Sequence, residues 1–510
     1  MFKFIKQCPK FRLENLGIQQ LVDNYSTIIS SSPSTRNQSC DHHQQLYGQP
    51  TAQTHPHLLK PGELVPGIKL DEFKTRRTKL ADYIIKNFSP KDATSHIVII
   101  PSASKVYMSD KIPYVFRQNS DFLYFTGCQE PDSVLVMTID SDKVLCTLFV
   151  QKKDPKSELW DGPVTGTEAA AEMFGFDQSL PVSDFDSYLN SLVNKYKSSA
   201  SIWYDNHDII HKEIHKKIST LGILASTDRC RLAPTSIKDI FHQIRLIKSP
   251  AEIELMQKSC DIASEAIAKT IKVTKAGMTE HQLFATVDYE CRMNGAEFLA
   301  YPPVVAGGRN ANTIHYITNN QILNDGDMVL MDAGCEYHGY SSDITRTWPI
   351  SGTFSPQQKI LYEIVLEVQK SLINQLKHLP TLDDLFYEMG NLLGKRLQEI
   401  GLIPKNYSHD RLAATAFTYC PHHVSHYLGM DVHDTGKISR SIRTQPGMIV
   451  TVEPGIYVNP KNKLAPREFH NLGIRIEDDV LVKDGEPLVL TRNCPKEISD
   501  IESIVKCNDS

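Results

Sequence analysis

Apolar residues recur at three- and four-residue steps through Ile253, Met256, Cys260, Ala263 and Ile267, the spacing of one buried helix face. The stretch opens on Ser249-Pro250-Ala251-Glu252. A serine and a glutamate three residues apart cap one another's backbone, and proline suits the first helical position. Gly277 closes this helix; Thr279 with Gln282 opens a second, which Gly295 ends. The arrangement then returns. Ser355-Pro356 with Gln358 opens a helix, Thr381 caps the next, and Gly401 ends it. Gly295 and Gly401 each lie 46 residues beyond their opening serine. The strands repeat too: Gly326–Gly334 matches Gly447–Gly455 at a constant offset of 121, which sets Asp332 on Glu453. Residues 245–510 therefore read as two related halves of helix, helix and strands, each supplying carboxylates to one centre.

Ahead of that region the pattern changes. Asp71–Phe88 reads as an amphipathic helix with Phe73, Leu80 and Ile84 on one side. Short apolar strands at Ile97–Ile100, Ser133–Met137, Val144–Val150 and Ser201–Tyr204 alternate with helical and turn segments, which predicts an α/β domain over residues 63–244. Two polar-aromatic stretches interrupt it, one holding Arg117–Asp121 and the other Glu158–Gly166. Each suits a subunit contact, a cap over a site, or plain packing. Ser26–Glu63 is rich in Ser, Gln, His and Pro and reads as a disordered linker, with His42, His43, His55 and His57 solvated. Met1–Leu13 carries Lys3, Lys6, Lys10 and Arg12 among apolar residues and no acid. That is the pattern of an organelle-targeting segment, so residues 1–62 are expected to be a targeting segment and linker, and the protein mitochondrial, with a cytoplasmic pool as the alternative.

Composition removes several functions. A net charge of −5 gives no footprint for nucleic acid or an anionic membrane. No apolar run approaches a membrane span, and glycine-rich phosphate loops are absent. The 11 cysteines are scattered and odd in number, without a CxxC pair, and read as reduced thiols.

The chemistry gathers in Asp327–Thr347, DMVLMDAGCEYHGYSSDITRT, which reads as a hairpin turning near Gly334. Aspartate is a poor strand former and costly to bury, and two on facing strands repel unless a cation lies between them. Asp332, Asp343, Glu453 and Glu477 all fall on predicted strands or their ends. Alternation puts Arg475 and Glu477 on one face, and Thr345 beside Asp343. His422–Asp434 adds His422, His423, His426 and His433. Oxygen-rich ligation with one imidazole fits two hard or borderline divalent cations better than a thiolate zinc site. A pair of ions roughly 3.5–4 Å apart activates water at neutral pH and polarises a carbonyl.

MDAGCEYHGYSSDITRTWP, PHHVSHYLGMDVHD, TVEPGIYV and GIRIEDD resemble the pita-bread metallopeptidases. YVFRQNSDFLYFTG, ELWDGP and RLIKSPAEIELM resemble aminopeptidase P within that family, and the segment ahead of them its organellar form. The resemblance implies an N-terminal α/β domain of the aminopeptidase P kind and an α+β pita-bread catalytic domain with an internal pseudo-twofold repeat. It implies a metal-dependent aminopeptidase acting on the N-termini of peptides with proline second, with no nucleic-acid partner and a homo-oligomer, expected to be a dimer. The implied ligands are Asp332, Asp343, His426, Glu453 and Glu477, holding two divalent ions, manganese foremost with cobalt or zinc as alternatives. Glu453 would also carry the catalytic proton, and His315 and His433 would steady the oxyanion. His422 would line the prolyl side, Tyr301 would lie at the pocket mouth, and Arg475 and Thr345 would hold the ligand carboxylates. A prolidase-like dipeptidase stays open, as does a peptide-binding relative without activity.

Overall fold

A computed structural model describes residues 46–88, 95–140, 143–220 and 230–506. The targeting reading of Met1–Leu13, and His42 and His43, fall outside the described residues. Six strands, β1 (Ser95–Pro101), β2 (Val134–Ile139), β3 (Val144–Val150), β4 (Gln178–Pro181), β5 (Ala200–Trp203) and β6 (Arg231–Leu232), form one mixed sheet in the order β6-β5-β1-β2-β3-β4. Strands β1 and β2 pair antiparallel, while β1 and β5 are parallel. The helix α1 (Leu70–Phe88) buries Phe73, Leu80 and Ile84, the face that its periodicity marks. The short helix α2 (Ser120–Thr126), capped by Asn119, is buried along its whole length. A third helix, α3 (Ile237–Leu246), leads to the catalytic half.

Residues 46–62 depart from the linker expectation. They form a run of turns in which Gln49 and Leu59 are buried. The Gln49 amide donates to Gly127 O (3.0 Å) and accepts from Gln129 N (2.7 Å). Composition registers the polarity of this stretch but not a buried amide with two fixed backbone partners.

In the C-terminal half, α4 (Pro250–Val273) and α5 (Glu280–Met293) begin with the reciprocal caps that Ser249/Glu252 and Thr279/Gln282 predict. Three antiparallel strands follow, β7 (Val304–Gly307), β8 (Met328–Ala333) and β9 (Ile344–Pro349), with β8 central. The second half repeats them as α6 (Pro356–Gln375) and α7 (Leu382–Glu399), then β10 (Ile449–Val452), β11 (Gly455–Tyr457), β12 (Gly473–Arg475) and β13 (Asp478–Leu481). Strand β10 pairs with β13, and β11 with β12. Ile262, Ala263 and Ile267 of α4 share one buried cluster with Val329, Met331, Ile344, Leu361 and Val365. The start of α4 faces the other way. Leu255, Met256 and Cys260 are buried with Phe73, Leu80 and Ile84 of α1, so one apolar cluster runs continuously from the N-terminal domain into the catalytic half.

The hairpin turn does not fall at Gly334. It falls at His338–Gly339, where both residues have positive φ and Tyr337 pairs with Tyr340. Gly334 serves a different need: a Cβ there would sit 1.8 Å from Ser342 O. Only glycine lets the two chains approach so closely beside Asp343.

Candidate metal centre

The two halves meet where β9 runs beside the chain that carries β12 into Glu477. Thr347 Oγ1 donates to Arg475 O (3.0 Å), and Glu477 N donates to Thr345 O (3.1 Å). Asp332 ends β8 opposite Thr345, Asp343 immediately precedes β9, Glu453 immediately follows β10, and Glu477 immediately precedes β13. Strand ends hold these side chains because paired backbone fixes each Cα while the carboxylate projects past the sheet.

The five groups converge. Asp343, His426 and Glu477 each present a ligand atom within 4.8 Å of the others'. His426 Nε2 lies 3.4 Å from Asp343 Oδ2 and 3.5 Å from Glu453 Oε1. Tyr301 bridges Asp332 and Asp343, its hydroxyl 2.6 Å from one carboxylate and 2.5 Å from the other. Asp332, Asp343, His426, Glu453 and Glu477, together with His315, His422, His423, His433, Arg440 and Arg475, line a cavity of about 200 Å³.

His426 Nδ1 lies 3.2 Å from Tyr427 O. A carbonyl only accepts, so Nδ1 carries a proton, and Nε2, which faces the acids, is the nitrogen left to a cation once its own proton is displaced. Around it negative charge is crowded. Burial, with Asp343 adding to it and His426 partly offsetting it, pushes Glu453 up to about 7. Burial and the neighbouring carboxylates also raise Glu477 and Asp332, Arg475 partly offsetting this. Burial works against a charge on His426, yet Asp343 and Glu453 outweigh it and push the imidazole up to about 9. Four carboxylates facing one imidazole and one guanidinium are a donor set that fits divalent cations.

Arg475 is 2% exposed and fans across the site: Nη2 to Asp332, Nε to Thr345 Oγ1 (3.0 Å), Nη1 to the Tyr457 hydroxyl (2.7 Å). Thr345 Oγ1 in turn donates a hydrogen bond to Glu477 Oε2 (2.6 Å). His422 Nδ1 lies 3.0 Å from His423 O and its Nε2 3.0 Å from the Tyr457 hydroxyl. Burial and Arg475 push it down to about 4, so it is neutral and accepts from the tyrosine. His433 is edge-on to His426 at 4.5 Å between centroids, and burial also lowers its pKa.

Residue chemistry alone did not single out five participants, Tyr301, Thr451, Asp479, Arg440 and Tyr457. The Tyr301 hydroxyl lies among the carboxylates, whereas the expectation put this residue at the mouth. Thr451 Oγ1 receives His426 N (3.1 Å) and reaches Glu453 Oε1 (3.3 Å). Asp479 receives Asp343 N (2.9 Å). Arg440 lines the cavity from a loop. Alternation through Glu453, Gly455 and Tyr457 would have found Tyr457; no sequence signal marks Arg440.

Residues 254–484 match metallopeptidase family M24, and residues 73–203 match the aminopeptidase P N-terminal domain. Xaa-Pro aminopeptidase 3 of Rattus norvegicus is 45% identical over 462 residues, 90% of each chain. The chain belongs to metallopeptidase family M24. Within it, the mitochondrial intermediate cleaving peptidase 55 of Arabidopsis thaliana is 40% identical over 91% of this chain and 89% of its own. The zinc-substituted aminopeptidase P of E. coli in complex with product superposes with a TM-score of 0.77 at 30% identity, covering 86% of this chain and 99% of that one. Membership makes the chain a hydrolase, a metallo-aminopeptidase with an aminopeptidase P N-terminal domain and a pita-bread catalytic domain. No helix among the described residues is long and apolar enough to cross a membrane.

Proposed function

We propose that this metallo-aminopeptidase releases one N-terminal residue from peptides with proline second, using two divalent ions, manganese foremost, held by Asp332, Asp343, His426, Glu453 and Glu477. The observation that carries the reading is the convergence of four carboxylates and one imidazole on a single cavity. Asp343 and Glu477, drawn from the two halves, would help to hold both ions. Cations bound there supply Lewis acidity, which polarises the scissile carbonyl and activates water at neutral pH.

The chain's own groups do the rest. Glu453 takes a proton from the attacking water and returns it to the departing nitrogen. His433 and His315 direct ring N–H groups at the developing oxyanion. His422, kept neutral against Tyr457, flanks the prolyl ring. Arg475 and Thr345 lock Asp332 and Glu477 in register, and Tyr301 orders Asp332 and Asp343 from beneath. The bond before proline lacks an N–H and has restricted geometry, so a peptidase that grips that N–H loses its handle and a dedicated pocket is required.

The relatives named for intermediate cleavage, one of them mitochondrial, support an organellar role with Met1–Leu13 as targeting segment: trimming the N-termini of imported proteins, with a looser demand for proline. A homodimer is the proposed assembly. Chelated enzyme, reloaded with manganese, cobalt or zinc, should regain cleavage of Xaa-Pro tripeptides; activity untouched by chelation would refute the reading. Arg440 on the cavity wall favours a second reading, a dipeptidase that caps a free carboxylate. Cleavage of Xaa-Pro dipeptides but not tripeptides would select it.

A further inference from the structure

Between His426 and Asp434 the chain leaves the sheet and returns in a tight loop. Leu428 N donates to Ile449 O on the way out, and Asp434 N donates to Tyr427 O on the way back. His433 sits at the returning end with its ring against His426. Little inside the loop fixes it: Gly429 N to Asp431 O (3.2 Å) is its own backbone bond, and Ser341 N to Gly429 O (2.9 Å) ties one shoulder.

Leu428 and Met430 are buried in the apolar cluster shared with α1, and the remaining polar anchors come from the N-terminal domain and the segment that joins it to the catalytic half. Arg117, ahead of α2, donates through Nη2 to Met430 O (2.9 Å) and Asp431 Oδ1 (3.3 Å), while its Nε is held by Glu336 (2.6 Å). Ser120, the first residue of α2, donates to Asp431 Oδ1 (2.6 Å). Arg245, at the end of α3 and 2% exposed, is held by Asp121 of α2 (2.6 Å) and reaches Asp431 Oδ2 (2.8 Å) and Asp434. Lys248 completes the seat on Asp434 (2.9 Å). The close packing extends to Gly429, where a Cβ would lie 2.5 Å from Asp434 Oδ2. Thus the apex of the loop is fastened by polar and charged groups of the N-terminal domain, and its return by Arg245 and Lys248 of the connecting segment.

We infer that the N-terminal domain is a positioning element of the active site, in which Arg117 and Ser120, with Arg245 seated on Asp121, hold the Gly429–Asp434 loop so that His433 faces His426 and the cavity. This rests on the role proposed above for His433. It also assigns a task to the Arg117–Asp121 stretch, for which the sequence left subunit contact, capping and packing open. The groups are suited to it. A charge-assisted hydrogen bond to a carboxylate is directional and strong, and two guanidinium groups sharing the partly exposed Asp431 allow it one orientation. Partial burial works against the Asp431 charge, but Arg245 and Arg117 together hold the carboxyl well below the usual carboxylate range, so it stays ionised.

Arg117 is the residue to change, because its side chain is 41% exposed and its loss leaves the Arg245 network in place. Arg117→Ala and Arg117→Lys are compared with the intact metal-loaded enzyme by hydrogen–deuterium exchange and by kinetics on an Xaa-Pro tripeptide. The expected result is faster exchange confined to the loop peptide spanning 426–434, and kcat about tenfold lower with KM little changed. Arg117→Lys should recover part of both. In a His433→Ala background, Arg117→Ala should cost nothing further. Loop exchange equal to wild type, wild-type kcat alongside a loosened loop, or additive losses in the double variant would each overturn the inference. Exchange reads the clamp without catalysis, so a loosened loop in a protein that cleaves no Xaa-Pro peptide supports the clamp while sinking the peptidase reading.

Discussion

Arg475 of β12 donates through Nη2 to Asp332 Oδ2 of β8, 2.5 Å away, so a cation from one repeat holds a carboxylate of the other. Its Nε and Nη1 are committed to Thr345 and Tyr457. Lysine can supply the charge but not the planar fork. Arg475→Lys should fold and should lose about 10- to 100-fold in metal affinity, the usual cost of removing a group that orients a ligand. Metal titration of the chelated protein measures it; wild-type affinity would show that the fork is dispensable.

Tyr301 presents a single O–H to two carboxylate oxygens, at 2.6 and 2.5 Å. One proton satisfies one acceptor at a time, so the hydroxyl orders Asp332 and Asp343 while leaving charge for a cation. Tyr301→Phe keeps the packing and removes that order. Metal affinity should fall about tenfold with the melting temperature of the loaded enzyme nearly unchanged. Equal affinity would make the contact incidental.

Removing metal should make stability depend on pH. In the bare site, Glu453 rises from 4.5 to about 7 through burial and its acidic neighbours. A raised carboxyl means that the folded state binds the proton more tightly, so stability present below pH 4.5 is lost as pH climbs toward 7. His426, raised from 6.5 to about 9, adds stability that is lost over that higher range. Both effects have the same sign. Thermal melts with and without chelator should diverge as pH rises from 5 to 9, the chelated protein falling further behind. A constant gap would contradict the crowded-carboxylate description.

Gly334 is a packing requirement of the hairpin. Gly334→Ala meets Ser342 O, a backbone atom that cannot swing away. The substitution should destabilise by about 3 kcal/mol or more, at the upper end for overpacking, and should displace Asp343. Gly436→Ala, with nothing within 4 Å of its Cβ, is the control expected to be near neutral. Urea unfolding of both variants decides it.

How far the sequence could be read follows from the range of each interaction. Local signals carried well: the caps at Ser249, Thr279, Ser355 and Thr381 all form, because a cap needs partners only three residues away. The offset linking Asp332 to Glu453 exposed the repeat, and alternation put Arg475 on one face with Glu477 and Thr345 beside Asp343, while the hydrogen bonds from Arg475 to Thr345 and from Thr345 to Glu477 came only with the fold. Alternation then failed at Glu477–Asp479, where three successive acids are all buried. Asp478 turns to Arg346 and Lys496, and Asp479 to the backbone of Asp343, partners more than a hundred residues away in two of the three cases. The seating of residues 46–62 and the reach of Arg117 to Asp431 rest on such distant contacts. No spacing rule within the chain encodes them.

The central claim is that five side chains from two repeated halves hold a pair of ions that the reaction needs. The direct test is the metal content per chain, measured together with Xaa-Pro tripeptide cleavage, for wild type and Asp343→Ala after reloading with manganese. Two ions per chain in the wild type, with loss of metal and of activity in a variant that remains folded, is the predicted result. Unchanged metal content and wild-type turnover in Asp343→Ala would contradict the account.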